Sequence, residues 1–309
     1  MNIIFNCDKN YAPYLSVVIK SILDNTTLST QFYILDFNIS EESKSCIKNL
    51  IQNINKKNSF QHSINFIKID DNDFQCFPQT ISYISSATYA RLKVADYLNE
   101  LNKAIYLDID IIVISDLSRL WHIDLADNLV GACLDPYIEY ENQDYKRKIG
   151  LQDSQPYINA GVLLLNLKAL REFNLYQKAI DWNKDYPNIQ FQDQDILNGV
   201  LKGKVLFLDS RYNFTVNHRN RIKLAHKGKL LLSSLEKATK PICILHYVGS
   251  HKPWLPTTTM VKSCLFDQIY NSIRNKPPHW NKKYQSVPLK FQLKRILREI
   301  EDKLVYKII

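Results

Sequence analysis

The stretch that most constrains this chain is Lys103–Leu117, KAIYLDIDIIVISDL. An apolar run, Ala104–Leu107, stops at Asp108; Asp110 follows one residue on, and a second apolar run begins at Ile111. Short β-branched and aromatic runs of this kind predict strands buried on both faces, as in a mostly parallel sheet. Within a strand, Asp108 and Asp110 would project to one side, because side chains alternate with period two. Two carboxylates at the end of a buried strand are costly to desolvate unless a cation neutralises them. A divalent cation of the Mg²⁺ or Mn²⁺ type, carrying a phosphorylated ligand, would do so. The competing reading is a solvated turn, and two other D-x-D triplets, Asp71/Asp73 and Asp193/Asp195, show that spacing alone does not decide. The flanking apolar strands set this triplet apart.

At 309 residues the chain can bury a large core, and its 45% hydrophobic and 23% charged composition is that of an ordinary globular protein. A net charge of +9 points to an anionic partner: a nucleotide, nucleic acid or an acidic membrane surface. The six cysteines form no C-x-x-C pair, and Cys7, Cys133 and Cys243 lie in apolar runs, where buried free thiols are expected. That fits a reducing compartment. No basic n-region precedes a long apolar stretch and no window approaches eighteen apolar residues, so neither conventional export nor a membrane span is expected.

The first strand is expected over Asn2–Cys7, leading through Asp8, Asn10 and Tyr11 into a helix from Ala12 to about Asp24. Strands over Gln31–Leu35 and Ser63–Ile69 flank a helix over Glu41–Gln52 capped by Ser40. A helix over Ala87–Leu98 carries Arg91, either a rim arginine or a guanidinium reaching phosphate or sugar. A strand over Leu129–Leu134 ends at Asp135, and the alternation of strand and helix to this point predicts a Rossmann-like sheet. Ligands of such sheets bind beyond the carboxyl ends of the strands. Neither G-x-G-x-x-G nor a P-loop is present, so phosphate recognition falls to a metal and basic side chains.

Residues Glu139–Gln155 are polar and weakly patterned, either a lid or an ordinary surface loop. Tyr157–Leu167 is a further strand, in which Gly161 beside Ala160 would let a ligand approach the backbone. Asp193, Gln194 and Asp195 open a helix, where one acidic residue would complement the dipole but Gln194 would not. Ile242–Trp254 reads as a last strand delivering His246, a hydrogen-bonded structural residue or a third metal ligand. Gly249, His251 and Lys252 follow it. From Ser286 to Ile309, Leu289, Leu293, Ile296, Leu297, Ile300 and Leu304 recur at helical spacing opposite basic residues. This basic amphipathic segment either packs on its own domain or lies on an anionic bilayer. No nucleic-acid module is recognisable, and no nucleic-acid partner is expected.

Six stretches together resemble the retaining glycosyltransferases of family 8, in its bacterial lipopolysaccharide and lipo-oligosaccharide galactosyl/glucosyltransferase branch. They are FNCDKNYAPYL, TYARLKVADYL, YLDIDIIVISDL, YINAGVLLLNL, FQDQDILNG and HYVGSHKPW, in the family's order across residues 3 to about 254. The resemblance implies an α/β GT-A domain over residues 1–280, single and Rossmann-like with a mixed, mostly parallel sheet. A basic amphipathic membrane-association segment would occupy 281–309. It implies Asp108, Asp110 and His246 as ligands of Mn²⁺, with Mg²⁺ as an alternative, held against the two phosphates of a UDP-hexose. It also implies a uridine- and ribose-holding loop of Asp8, Asn10 and Tyr11, with Asn6 and Ile109 on the donor side. Gly249 and Lys252 would close over the diphosphate. Arg91, Asp108, Asn159, Asp193 and Gln194 would hold the donor sugar, and Asp135 would lie where acceptor and sugar meet.

As an amide, Gln194 is a poor nucleophile, so front-face transfer is favoured over double displacement, with Asp193 orienting hydroxyls and Asp195 a minor alternative nucleophile. The resulting expectation is a Mn²⁺-dependent enzyme, peripheral on the cytoplasmic face of the membrane. It would move galactose from UDP-galactose to a terminal galactose- or lactose-type, lipid-linked acceptor; UDP-glucose is the alternative donor. Rival classes are a metal-dependent nucleotidyltransferase, whose glycine-rich loop is missing, and a non-catalytic UDP-sugar-binding or membrane-scaffold protein.

Overall fold

The apolar runs each become a strand, and their order in space follows from which of them can be buried on both faces. The computed structural model describes residues 1–57, 59–81, 85–215, 242–255, 258, 260, 262–281 and 289–304. Strands β1 (Asn2–Asp8), β2 (Gln31–Phe37), β3 (Ser63–Lys68), β4 (Lys103–Leu107), β6 (Val130–Leu134), β7 (Ile158–Asn166) and β8 (Val205–Phe207) form one sheet in the order β3-β2-β1-β4-β7-β6-β8. All neighbours run parallel except β7, which is antiparallel to both β4 and β6. A second, three-stranded sheet pairs β5 (Ile111–Val113), β10 (Ile244–His246) and β9 (Phe214–Thr215) in the order β5-β10-β9. This is the GT-A arrangement, α/β with a mixed, mostly parallel sheet.

Successive residues of the central strands enter separate cores on opposite faces of the sheet. Ile3, Phe5, Ile105, Leu107, Val162 and Leu164 join one cluster, while Ile4, Ala104, Tyr106, Leu163 and Leu165 join the other. That two-sided burial explains runs without polar alternation. The helix Ala12–Asn25 covers the first face with Leu15, Val18, Ile19 and Ile22. The helix Glu41–Asn55 is capped by Ser40, whose Oγ accepts from the Ser43 N–H at 3.2 Å. Such a cap contributes about 1 kcal/mol. The C-terminal part packs on the same face: Tyr14 stacks on Trp254 at 3.9 Å, and Trp280 Nε1 donates to Ser43 Oγ at 3.2 Å.

The reversal of β7 positions the site. Because β7 runs against its neighbours, its beginning lies beside their ends, so Asn159–Gly161 meets Asp108 and Asp135 at one edge. A register shift between Ala132 and Leu134 loosens the β6–β7 ladder at that place. The Asp108 N–H donates to Gly161 O at 2.8 Å and the Asp135 N–H to Tyr157 O at 2.9 Å, closing the edge.

Several sequence expectations need correction. The helix expected over Ala87–Leu98 is a 3₁₀ segment, Ser86–Leu92, followed by one α-turn, Val94–Tyr97. Three residues per turn bring Thr88 and Arg91 onto one ridge, and both reach Asp193. The weakly patterned stretch Glu139–Gln155 contains helical turns: Pro136–Tyr140, capped by Asp135, runs into it, and Tyr145–Lys148 lies within it. Its buried Lys146 pairs with Glu139 at 2.6 Å. Only Ile244–His246 of the expected strand Ile242–Trp254 is strand, because β10 loses its neighbours beyond His246. The tail forms a helix over Leu289–Leu304; residues 286–288 and 305–309 of the expected segment lie outside the described residues. All six cysteines are free, and Cys7, Cys133 and Cys243 are buried as expected. Among the described residues, no helix is long and apolar enough to cross a membrane.

Candidate active site

The carboxyl ends of β1, β4 and β6 open onto a cleft of about 330 Å³. Of the residues singled out in the sequence, Asn6, Asp8, Tyr11, Arg91, Asp108, Ile109, Asp110, Asp135, Asn159, Asp193, Gln194, His246, Gly249 and Lys252 all line it. Asn10 stands outside the lining: it is exposed on the turn after β1, where its N–H donates to Asp8 Oδ1 at 2.8 Å. Asp195 is also outside. Its carboxylate accepts from Tyr157 OH at 2.6 Å, Tyr145 OH at 2.5 Å and the N–H groups of Gln190 and Phe191. With both oxygens so engaged, Asp195 anchors the helix Gln192–Val200 rather than facing the cleft.

One side of the cleft is built on Arg91. Its guanidinium is 7% exposed and forms ion pairs with Asp108 Oδ1 and Asp193 Oδ2, each at 2.8 Å. It also donates to Ala160 O at 2.6 Å and lies 4.5 Å from the Tyr106 ring centre. Thr88 Oγ1 donates to Asp193 Oδ1 at 2.5 Å. Burial pushes the Asp193 carboxyl up to about 6, although Arg91 and Thr88 pull it down; the neighbouring Asp108 adds to the rise. Arg91 is therefore a buried residue of the cleft wall that neutralises two carboxylates.

The opposite side holds Asp108, Asp110 and His246, whose candidate ligand atoms lie within 4.8 Å of one another. His246 Nε2 is 3.2 Å from Asp110 Oδ1 and 3.8 Å from Asp108 Oδ2. His246 arrives on β10 opposite Ile111, while the Tyr247 N–H donates to Asp110 O at 2.8 Å, so the second sheet pins the D-x-D turn. Lys252 places its ammonium on Asp110 and donates to Tyr247 O at 3.0 Å. Burial disfavours ionisation of Asp110, yet the Lys252 ammonium outweighs it and holds the carboxyl well below the ordinary carboxylate range. Two carboxylates and an imidazole are a donor set suited to Mn²⁺ or Mg²⁺. The lysine ammonium already occupying one carboxylate shows that the pocket is built for positive charge. These residues fit a divalent cation.

The Gly161 position is explained by this side rather than by a ligand. A Cβ there would meet His246 Cε1 at 2.2 Å and Asp108 Oδ2 at 2.9 Å, so the close approach belongs to the protein's own imidazole. Between the two sides, Gln194 Oε1 accepts from the Ala160 N–H at 3.0 Å and Nε2 donates to Asp135 Oδ2 at 3.2 Å. Asn159 Nδ2 donates to the same Asp135 oxygen at 3.0 Å. Asp135 Oδ1 accepts from the N–H groups of Tyr137 and Ile138, so the carboxylate is held in one orientation.

Sequence reasoning did not single out Thr88, Tyr106, Asn213 or Thr215. Thr88 carried a signal, three residues before Arg91 on a 3₁₀ ridge. Asn213 carried none: it touches Asn159 and His246 only through the sheet order.

The family model for glycosyl transferase family 8 matches residues 2–258. A Haemophilus influenzae protein provisionally called a glycosyltransferase is 40% identical over 306 residues, covering 98% of this chain and 88% of that protein. The lipopolysaccharide 1,2-glucosyltransferase of Escherichia coli is 30% identical over 262 residues, 82% of this chain and 72% of its own length. Among solved structures, the galactosyltransferase LgtC in complex with donor and acceptor sugar analogs superimposes with a TM-score of 0.82 at 37% identity. The match covers 92% of this chain and 100% of that one.

Proposed function

This chain belongs to glycosyl transferase family 8, the retaining glycosyltransferases that include lipopolysaccharide galactosyl- and glucosyltransferases, and we propose that it transfers galactose from UDP-galactose. The acceptor on this reading is a terminal galactose- or lactose-type unit of a lipo-oligosaccharide or lipopolysaccharide, and the new linkage is α. One observation carries the reading: the Asp108–Asp110–His246 group opens onto the same cleft as Asp193, Gln194 and Asp135. Donor diphosphate and acceptor sugar would then meet between them. The likeness to the galactosyltransferase LgtC favours galactose; the likeness to the 1,2-glucosyltransferase keeps UDP-glucose as the second donor.

Asp108, Asp110 and His246 would hold Mn²⁺, with Mg²⁺ as the alternative. When bound, the ion supplies Lewis-acid neutralisation of the departing UDP. Lys252, on the loop that begins at Gly249, would shift from Asp110 to the diphosphate and add positive charge where negative charge grows. Asn6, Asp8, Asn10, Tyr11 and Ile109 would contact the nucleotide, Asn10 from the rim. Arg91, Asp193 and Asn159 would set the hexose hydroxyls. In the front-face step, the bond from the anomeric carbon to the phosphate oxygen breaks as the acceptor oxygen bonds to the same carbon. The acceptor's proton passes to the departing phosphate. Gln194, held by Ala160 and Asp135, would stabilise the charge at the anomeric carbon, while Asp135 would orient the acceptor.

Residues 1–280 would be the catalytic part and 281–309 a membrane-association segment, making the enzyme peripheral on the cytoplasmic face. The Leu289–Leu304 helix supports this with a face of aliphatic side chains turned outward. Leu289 is 70% exposed, Leu297 66%, Leu293 and Ile296 54% each and Ile300 48%. Arg295 ties the helix to the body through Asp267 at 2.7 Å, Leu255 O at 2.9 Å and Thr258 O at 3.0 Å. Lys290 and Lys294 add exposed positive charge suited to an anionic surface.

The deciding experiment measures UDP release with Mn²⁺, from UDP-galactose and UDP-glucose separately, each with and without lactose. Release from UDP-galactose that rises sharply with lactose is the expected result. A rise with UDP-glucose alone would transfer the assignment to the glucosyl reading. Binding of a donor without release would favour a non-catalytic UDP-sugar-binding protein. No binding or release with either donor would overturn the UDP-hexose reading in favour of a membrane scaffold.

A further inference from the structure

We propose that Asn213 is a positioning residue that holds His246 in the Nδ1–H tautomer, turning the Nε2 lone pair toward Asp108 and Asp110. The inference rests on the reading above in one respect, that these three residues are the cation's ligands.

The argument starts from a backbone amide, whose donor sense admits no alternative. The Gly161 N–H donates to the Asn159 side-chain oxygen at 3.0 Å. The other end of that amide faces Asp135 Oδ2 at 3.0 Å, an acceptor, which agrees with nitrogen there. Asn159 Oδ1 also receives a second contact, from Asn213 at 2.8 Å, so Asn213 presents its NH₂ group on that side. The oxygen of Asn213 is thereby turned to His246 Nδ1, 2.7 Å away. An oxygen can only accept, so Nδ1 carries the proton. A neutral imidazole protonated at Nδ1 keeps a lone pair on Nε2.

That lone pair faces two carboxylate oxygens, at 3.2 and 3.8 Å. Three acceptors converging with no proton among them repel one another, and a cation between them removes the conflict. Burial gives the relay its stiffness: His246 is 1% exposed, Asn213 3% and Asn159 4%. The chain places them together through the small sheet, in which β9 starts immediately after Asn213 and pairs Thr215 with His246. Outer partners that fix the tautomer of a ligating imidazole typically contribute about ten- to hundred-fold in metal affinity.

The test uses the full-length chain. Long-range ¹H–¹⁵N correlation spectra of metal-free protein at pH 8, with the His246 signals assigned by their loss in His246→Gln, report which ring nitrogen carries the proton. Calorimetric titration with Mn²⁺ then compares the wild type with Asn213→Leu, which keeps the bulk and loses both hydrogen bonds. The expected result is Nδ1–H in the wild type, a shift toward Nε2–H in the variant and about ten- to hundred-fold weaker Mn²⁺ binding. A wild-type ring protonated at Nε2, or at both nitrogens, overturns the proposal without any variant having to fold. So does Asn213→Leu binding Mn²⁺ as tightly as the wild type. If the wild type binds no Mn²⁺ or Mg²⁺, the metal reading fails, and the spectra still decide the tautomer by themselves.

Discussion

Substituting Gly161→Ala tests the packing of the site directly. The added Cβ would lie 2.2 Å from His246 Cε1 and 2.9 Å from both His246 Nδ1 and Asp108 Oδ2. Carbon atoms settle at about 3.5–4.0 Å, so the ring or the β7 backbone must give way by more than about 1 Å. The ring is 1% exposed and held at Nδ1 by Asn213, which leaves it little room to retreat. Overpacking of this kind costs about 1–3 kcal/mol, and the stiffer unfolded chain of the alanine variant offsets about 0.4–1 kcal/mol of that. At about 2–4 °C per kcal/mol, the thermal midpoint in EDTA should fall by up to about 10 °C. The effect on metal should be larger. Ligand distances tolerate only about 0.2 Å, so a ring displaced by 1 Å should weaken Mn²⁺ binding at least about tenfold, read by calorimetry. A variant with both the native midpoint and the native Mn²⁺ affinity would refute this account of Gly161 and of the ligand geometry.

Three further outcomes are expected. Arg91→Met leaves Asp193 and Asp108 without their shared guanidinium, a loss of about 3–5 kcal/mol by the usual cost of an orphaned buried charge; a denaturation midpoint like the wild type's would show that the pairing is dispensable. The Asp193 carboxyl sits at about 6 in the folded chain against an ordinary 3.8. Its contribution to stability is therefore full below about 3.8 and is lost as pH rises through 6. Wild type should accordingly lose ground to Asp193→Asn in unfolding free energy across that window, and a difference independent of pH would contradict the assignment. Asp110, held low by Lys252, acts in the opposite sense and loses its contribution as pH falls below the ordinary carboxylate range. Replacing Leu293 and Leu297 with serine should abolish binding to anionic vesicles, with stability changed by about 0.5 kcal/mol or less because both are exposed. Undiminished vesicle binding would remove the tail from the membrane reading.

The site was legible wherever chemistry and local setting coincided in a few residues. Asp108 and Asp110 stood out because acidic residues interrupt an apolar run, and Asp135 because it closes one. Gln194 stood out because dipole complementation explains one of its acidic neighbours and not itself. The role of Gly161 was misjudged for a physical reason: a glycine in a strand reports that something comes close, and only the fold says whether it is a ligand or, as here, the His246 ring. Arg91 was ambiguous because a helical pattern does not say which way a side chain faces. The 3₁₀ turn that aligns it with Thr88 is set by contacts with Asp193, 102 residues away by the numbering.

The sequence by itself determined the strands other than β8 and β9, the two-sided burial of the central ones, the acidic strand ends, the amphipathic tail and, through six ordered motifs, the family. These are local properties, carried by periodicity, composition and short spacing. Tertiary structure decided that β7 runs backwards, bringing Asn159–Gly161 to the ends of β4 and β6. It also decided that β9 and β10 pair so that Asn213 reaches a histidine 33 positions on and His246 reaches an aspartate 136 positions back. Proximity between residues so far apart depends on strand order and direction, which follow from the burial of the whole sheet and leave no trace in any single stretch of the chain.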